Sequence, residues 1–305
     1  MKYLFSYSAV TALLEASLVL QAAAVAIPLK LEARGFQFEN VFAFGDSYTT
    51  NGFNDHGPQP KAENVIGNPN FPGETTTGGI NWPEFLVTAV RNSPALLYDL
   101  AVSGATVDNT FVAASTGVST FVQQAASFVS TYGPNTAGAG VWTSDNSLFT
   151  VWFGINDINA GYKNSNYETL VHTVIKNYFD QVTNLYNSGA RHFVFLGVPP
   201  IQRTPQFISQ GSAAQDAVTN AIAYYNQLVQ DGANDFKNAH ADAAVSYLDT
   251  IPVFDQALNN PTAYGSPDAV CYNSDGTSCL WWNNFHPGQA IDKLVAEAVA
   301  DLIKG

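Results

Sequence analysis

Basic residues are scarce in this 305-residue chain. Lysine and arginine number 12 against 25 aspartates and glutamates, which gives a formal net charge of −13 at pH 7. Such a surface is repelled by nucleic acid and by anionic lipid surfaces, so we expect no nucleic-acid partner and no stable membrane association. The expected substrate is a neutral or weakly charged small molecule.

Long hydrophobic runs are also absent, except near the N-terminus. There, Lys2 precedes an apolar stretch that ends in closely spaced alanines at Ala26. We predict a signal peptide over residues 1–26, a short pro-piece that can extend to Arg34, and one secreted, extracellular domain over residues 35–305. The alternative is an N-terminal membrane anchor, but the stretch is short and contains Glu15.

Cysteine is nearly absent, and the two present are Cys271 and Cys279. A close, even pair in an exported chain indicates one disulfide. The pair has no neighbouring histidine with the spacing of a zinc site, so we expect no metal and no other cofactor.

Short apolar runs alternate with longer helical patterns along the chain. The apolar runs predict five strands, at Val41–Gly45, Leu97–Ala101, Leu148–Gly154, His192–Leu196 and Ala244–Leu248. The other patterns predict helices at Trp82–Val90, Val118–Thr131, Tyr167–Asn187, Ala213–Asn238 and Pro287–Ile303. This alternation predicts an α/β fold of three layers, α/β/α, with a central parallel five-stranded sheet. The loops that follow the strands should share one edge, where ligand sites form.

Three of these loops carry residues suited to catalysis. Ser47 follows the first strand in the sequence GDSY, although serine is also an ordinary helix N-cap. Gly104 follows the second strand and can offer its backbone N–H to an anion, or it is a simple loop glycine. Asn156 follows the third strand in the sequence GIND, where it can point an amide at the same place or merely form a turn.

A histidine near the C-terminus completes the set. His286 lies in the sequence WNNFHPG, just before the last predicted helix, with aromatic residues around it and Pro287 fixing the loop. The other histidines occupy positions where structural or exposed roles are common, and they are His56, His172, His192 and His240.

Taken together and in this order, the four segments resemble the four blocks of the SGNH/GDSL hydrolase superfamily. The resemblance runs from about Val41 to Ile303, and it implies a flavodoxin-like α/β/α fold. The sequences WPEF at 82–85 and VPP at 198–200 resemble the plant and fungal branch. Within that branch, the acidic, aromatic-rich and secreted character is similar to fungal acetyl esterases of carbohydrate esterase family 16.

The resemblance also implies a role for each block. Ser47 would be the nucleophile and His286 the general base. The backbone N–H groups of Ser47 and Gly104, with the side chain of Asn156, would form an oxyanion hole.

One position departs from the family pattern. The family usually carries Asp three residues before the histidine, whereas this chain has Asn283. The carbonyl oxygen of Asn283 can accept the ring N–H of His286, and a backbone carbonyl such as that of Trp282 is the alternative. We therefore expect a Ser-His dyad with Asn283 as its orienting residue.

The resemblance implies a secreted serine esterase that hydrolyses short-chain acetyl esters of acetylated sugars or hemicellulose oligosaccharides. Trp82, Trp281 and Trp282 are candidates for a sugar platform, or else they pack in the core. A secreted GDSL lipase or phospholipase is the alternative, but the polar loop from Thr49 to Ile80 shows no amphipathic lid helix. A non-catalytic carbohydrate-binding protein is the alternative from another class.

Overall fold

A computed structural model describes residues 37–90 and 94–304 of the chain. Its strands are β1 (Asn40–Gly45), β2 (Leu96–Asp99), β3 (Ser147–Trp152), β4 (His192–Leu196) and β5 (Ala244–Leu248). Its helices are α1 (Trp82–Thr88), α2 (Phe121–Tyr132), α3 (Ile155–Gly161), α4 (Tyr167–Asn187), α5 (Pro205–Ser209), α6 (Ser212–Ala239), α7 (Ile251–Leu258) and α8 (Gln289–Lys304). Short 3₁₀ helices lie at Ile201–Arg203 and Pro261–Tyr264. The predicted signal peptide and pro-piece lie outside the described residues.

The sheet is parallel throughout, and its strands lie in the order β2-β1-β3-β4-β5. Helices α2, α4 and α6 pack as one layer, and helices α1, α7 and α8 pack as the other. This is the strand order of flavodoxin-like folds. The predicted fold class is confirmed.

The strand bounds agree with the prediction to within two residues, and α4 begins and ends at the predicted residues. Helices α3, α5 and α7, of five to eight residues, were not predicted, because such short segments show only a weak helical period. Helix α8 begins two residues later than predicted. The reason is that the N–H of Gly288 is bonded to the carbonyl of Leu280, which keeps that residue in the preceding loop.

Strand β1 lies at the centre of the fold. All six of its residues are buried, because the strand has neighbours on both edges and helices on both faces. The Phe42 ring stacks on Tyr98 at 4.7 Å and on Phe149 at 5.1 Å, and it meets the edge of Phe128 at 5.0 Å. Burial of such large rings contributes much of the stability of the core. This packing fixes the position at which β1 ends, just before Ser47.

Cys271 and Cys279 are joined in a disulfide, as predicted, with their Cα atoms 5.2 Å apart. The bond closes the loop of residues 271–279, and just outside this loop the Trp281 indole donates a 2.8 Å hydrogen bond to the carbonyl of Ala269. The loop leads directly into the segment that carries His286. No helix in the described residues is both long and apolar enough to cross a membrane.

Four aspartates are almost fully buried, and they are Asp46, Asp99, Asp157 and Asp292. Burial raises the pKa of Asp46 and of Asp157 to about 7, and that of Asp292 to about 8. Among the described residues, Asp46 and Asp157 each keep one carboxyl oxygen without a hydrogen-bond partner. These groups are therefore neutral acids in mildly acidic solution.

The raised pKa values predict a fold that is more stable in acid than in alkali. In the unfolded chain the same carboxyls ionise near pH 3.9, so between about pH 4 and pH 7 to 8 the folded state binds more protons and its stability falls as pH rises. His286 acts in the opposite direction, but it is one group and only up to about pH 6.5. We expect the Tm to fall by at least about 5 °C from pH 5 to pH 8 in thermal unfolding.

The matched variant for this test is Asp157→Asn, which removes one titrating group and should flatten the dependence. A Tm that is level or rising from pH 5 to pH 8 in the unmodified protein would show that these carboxyls are ionised in the folded state.

Candidate active site

Ser47, Gly104 and Asn156 follow three adjacent strands, β1, β2 and β3, at one edge of the sheet. The register pairs Gly45 with Trp152, so the ends of β1 and β3 lie side by side. Strand β2 lies on one side of β1 and strand β3 lies on the other, so the strand order reverses at this point. Ligands bind in α/β folds at such a switch point. The topology therefore brings the three residues to one crevice.

The turn that carries Ser47 is braced from several directions. The carbonyl of Asp46 accepts the N–H of Thr49 at 3.1 Å and that of Thr50 at 3.0 Å, and its side chain accepts the N–H of Tyr48 at 2.9 Å. The Thr76 hydroxyl donates to the carbonyl oxygen of Ser47. Ser47 is only 5% exposed, so its hydroxyl has little freedom of position.

His286 lies against this turn, although 239 residues separate it from Ser47. The distance from its Nε2 to the Oγ of Ser47 is 2.8 Å, which is a hydrogen bond. Two further bonds hold its loop in place: the Tyr48 hydroxyl donates to the carbonyl of Phe285, and the N–H of Trp282 donates to the carbonyl of His286 at 2.9 Å.

The side chain of Asn283 lies at the other ring nitrogen. Its Oδ1 is 3.1 Å from Nδ1 of His286, and it also accepts the backbone N–H groups of Phe285 and His286, each at 2.8 Å. Two backbone donors require an oxygen at this position, so the amide orientation is determined. Nδ1 must therefore carry the ring proton, and Nε2 is left as the acceptor for the hydroxyl of Ser47.

The surroundings of the imidazole keep it neutral. Aromatic rings flank it, with centroids at 5.5 Å for Tyr48, 5.5 Å for Phe285 and 6.0 Å for Trp282. Burial lowers the pKa of His286 to about 4, because the charged form loses its hydration. The ring can therefore accept a proton over most of the acidic and neutral pH range.

Two glycines shape the potential anion-binding side of the crevice. Gly104 has φ of +81° and Gly154 has φ of +124°, conformations that other residues rarely adopt. A Cβ on Gly154 would also lie 2.4 Å from the ring of Tyr225. Asn156 is the second residue of α3, and its Nδ2 donates one N–H to the carbonyl of Ala105 at 2.9 Å. Its second amide N–H can bind a developing oxyanion.

The three tryptophans do not form a sugar platform. Trp82 and Trp281 are fully buried in the core, so the prediction that they bind a sugar is wrong for both. The Trp82 indole nitrogen is 3.3 Å from Oγ1 of Thr49, and the Trp281 indole N–H donates to the carbonyl of Ala269. Trp282 is partly exposed beside His286, so it is the one of the three with a surface that a substrate can touch.

Tyr48, Thr76 and Asp46 are site residues that the sequence reasoning missed. Tyr48 links the turn that carries Ser47 to the loop that carries His286, and Thr76 and Asp46 fix the backbone of that turn. For Tyr48 and Asp46 the available signal was their place inside the GDSY segment. Nothing in the sequence pattern marks Thr76.

Comparisons with known proteins identify the family of this chain. The profile of the family described as GDSL-like Lipase/Acylhydrolase matches residues 41–299. An acetylesterase of Thermothelomyces thermophilus is 43% identical over 267 residues, which cover 87% of this chain and 88% of that protein. An acetylesterase of Hypocrea jecorina is 26% identical over 334 residues, which cover 88% of this chain and 89% of that protein.

The fold is also similar to that of a solved structure. The crystal structure of a catalytic mutant of an acetylxylan esterase from Geobacillus stearothermophilus has a TM-score of 0.52 and 15% sequence identity, covering 88% of this chain and 96% of that chain. The protein is therefore a carboxylic ester hydrolase by class. It belongs to the GDSL-like lipase/acylhydrolase family, which confirms the resemblance drawn from the four blocks.

The position of Asn283 predicts how substitutions there change the pH profile. Asn283→Ala should lower kcat roughly tenfold with little change in KM, because the ring loses its orienting acceptor. Asn283→Asp should raise the pKa of His286, because a carboxylate stabilises the imidazolium. The rate falls as pH drops through this pKa, so the acid limb of kcat/KM should move from near pH 4 to higher pH.

The measurement is a pH–rate profile of each variant, with a thermal melt to check folding. If the acid limb of Asn283→Asp coincides with that of the unmodified enzyme, residue 283 does not interact with the imidazole in solution.

Proposed function

We propose that the protein is a secreted acetylesterase that removes acetyl groups from sugars or hemicellulose oligosaccharides through a serine acyl-enzyme. The observation that carries this proposal is the 2.8 Å hydrogen bond between Ser47 and His286, in a chain of an ester-hydrolase family. The name of the relative in Thermothelomyces thermophilus supports the acetyl group.

In the first half of the proposed reaction, Nε2 of His286 takes the proton of Ser47 as the Oγ attacks the ester carbonyl carbon. The oxyanion that forms accepts hydrogen bonds from the backbone N–H groups of Ser47 and Gly104 and from Nδ2 of Asn156. The imidazolium then gives its proton to the departing sugar oxygen, which breaks the ester bond and leaves an acetyl group on Ser47.

In the second half, His286 removes a proton from water, and the resulting hydroxide adds to the acetyl carbonyl. Collapse of this intermediate returns the proton to Ser47 and releases acetate. One preorganised oxyanion donor is worth about 3–4 kcal/mol of transition-state stabilisation in other enzymes, so Asn156 would account for a large part of the rate.

The loop over residues 49–80 supports a small acyl group. It contains turns and bends but no helix, so it supplies no amphipathic lid of the kind that a lipase uses. The Thr76 hydroxyl ties the loop to Ser47. The amide of Asn81, just after the loop, donates to the carbonyls of Thr49 at 2.6 Å and of Thr50 at 3.0 Å and so holds the two ends of the loop together. A loop anchored in this way leaves little room to open for a long acyl chain.

Secretion is proposed on two features. Residues 1–26 have the charge and hydrophobicity of a signal peptide. The disulfide between Cys271 and Cys279 is of the kind that persists in oxidising compartments.

The nucleophile assignment predicts that Ser47→Ala lowers kcat by roughly 10⁴-fold or more. The change removes one buried oxygen, so the melting curve should stay close to that of the unmodified protein. Mass spectrometry after treatment with a serine-directed phosphonate should show one adduct on the unmodified enzyme and none on the variant. If a clean preparation of Ser47→Ala still turns over substrate, another residue must be the nucleophile.

The acyl preference predicts a steep dependence on chain length. With 4-nitrophenyl esters from acetate to octanoate, kcat/KM should be highest for acetate and should fall at least about tenfold by octanoate. A profile that rises toward octanoate would favour the lipase alternative. Failure to hydrolyse any ester of the series would favour a binding protein.

A further inference from the structure

Two adjoining cavities lie between helix α2 and the loop over residues 53–59. The first has a volume of about 260 Å³, and the residues that line it include Phe53, Asp55, Val102, Ser119, Gln124 and Ser127. The second has a volume of about 410 Å³, and the residues that line it include Asp55, Gln59, Ser130, Thr131 and Tyr132. Because Asp55 lines both cavities, we treat them together as the α2 groove.

The near end of the α2 groove lies beside the nucleophile turn. The Gln124 side chain accepts the N–H of Gly45 at 3.1 Å and donates to its carbonyl at 2.9 Å. The N–H of Val102 also donates to that carbonyl, at 3.1 Å. Gly45 precedes Ser47 by two residues, so their Cα atoms are at most about 7.6 Å apart. Two residues that line this part of the groove therefore contact the strand end that leads into the Ser47 turn.

The groove then follows one side of helix α2. Gln123, Ser127 and Thr131 recur at intervals of four residues, which places them on one face of the helix. From Phe121 to Thr131 helix α2 rises about 15 Å. The groove is therefore long enough for a short oligosaccharide rather than for a single sugar.

The walls of the groove are held in place before any ligand binds. The Ser127 and Thr131 hydroxyls both donate to Oδ2 of Asp55, the second at 3.2 Å. The Tyr132 hydroxyl donates to Oε1 of Gln59 at 2.6 Å. These bonds attach the loop to the helix, so binding would cost little ordering of the protein.

The lining suits a neutral polyhydroxylated chain. Hydroxyl, amide and carboxylate groups can bond sugar hydroxyls, and the partly exposed ring of Phe53 can contact the C–H face of a sugar. Asp55 and the net charge of −13 disfavour an anionic ligand. The walls expose both polar and apolar atoms, which match the hydroxyls and the C–H faces of a sugar.

We propose that the α2 groove binds the oligosaccharide that carries the acetyl ester and so determines which acetylated sugars are substrates. This inference rests on the sugar-ester substrate proposed above. It assigns the alcohol side of the ester to residues 53–59 and helix α2, outside the catalytic residues.

The test blocks the groove at its centre with Ser127→Tyr. The matched control is Ala126→Tyr, which places the same ring on the preceding residue of α2, at an exposed position outside the groove. Each protein is assayed on acetylated xylobiose, acetylated xylotetraose and 4-nitrophenyl acetate. We expect Ser127→Tyr to lower the ratio of kcat/KM on xylotetraose to kcat/KM on 4-nitrophenyl acetate at least tenfold, mostly through KM, and the control to keep the ratio.

A second variant tests the length of the site and serves if Ser127→Tyr does not fold. Ser130→Tyr obstructs the distal cavity at an exposed position, so it should weaken hydrolysis of the tetraose more than that of the biose. If kcat/KM falls equally on all three substrates, or if the ratio is unchanged in both variants, the proposal that the groove binds the oligosaccharide is wrong, while the esterase assignment stands. If the unmodified enzyme cleaves 4-nitrophenyl acetate but no acetylated xylo-oligosaccharide, the sugar substrate is wrong, and the groove proposal falls with it.

Discussion

One oxygen atom, Oδ1 of Asn283, determines the geometry of the site. It accepts the N–H groups of Phe285 and His286 and faces Nδ1 of the imidazole, so the same atom shapes the loop and selects the tautomer. Only with the proton on Nδ1 can Nε2 accept from Ser47 at 2.8 Å. The bond from Tyr48 to the carbonyl of Phe285 then ties this loop to the nucleophile turn. The position of the proposed base therefore depends on a local turn and on one contact across the chain.

A neutral amide at this position has consequences that a carboxylate would not have. A carboxylate would stabilise the imidazolium and raise the pKa of His286, whereas here burial acts alone and lowers it to about 4. The base would thus remain unprotonated in acid, at the cost of weaker stabilisation of the charged transition state. Asp46 and Asp157 fit the same conditions, because burial raises their pKa to about 7 and they are neutral in acid. The site and the fold therefore both favour mildly acidic solution.

Much of this arrangement could be predicted from the sequence, because it depends on local patterns. The buried strands have continuous apolar runs, and the strand ends place Ser47, Gly104 and Asn156 at one edge. What could not be predicted depends on contacts between distant segments. Tyr48 and Phe285 are separated by 237 residues, and no periodicity links them. Trp82 and Trp281 were misassigned for a related reason: an indole suits a core and a sugar surface equally well, and only the packed structure distinguishes them.

The loop over residues 49–80 connects the two proposed parts of the site. At one end Thr76 donates to the carbonyl of Ser47, and at the other Asp55 accepts two hydroxyls of helix α2. The N–H of Ile80 is also 3.2 Å from the Gln289 side chain, at the start of α8 and three residues after His286. A single segment therefore braces the nucleophile, borders the groove and contacts the helix that follows the base. The contact at Ser47 is made by Thr76, near the end of the segment, and the contacts at the groove are made by Asp55, near its start. A substitution that breaks the Thr76 contact should therefore shift the proposed nucleophile, whereas one confined to the groove leaves that contact in place.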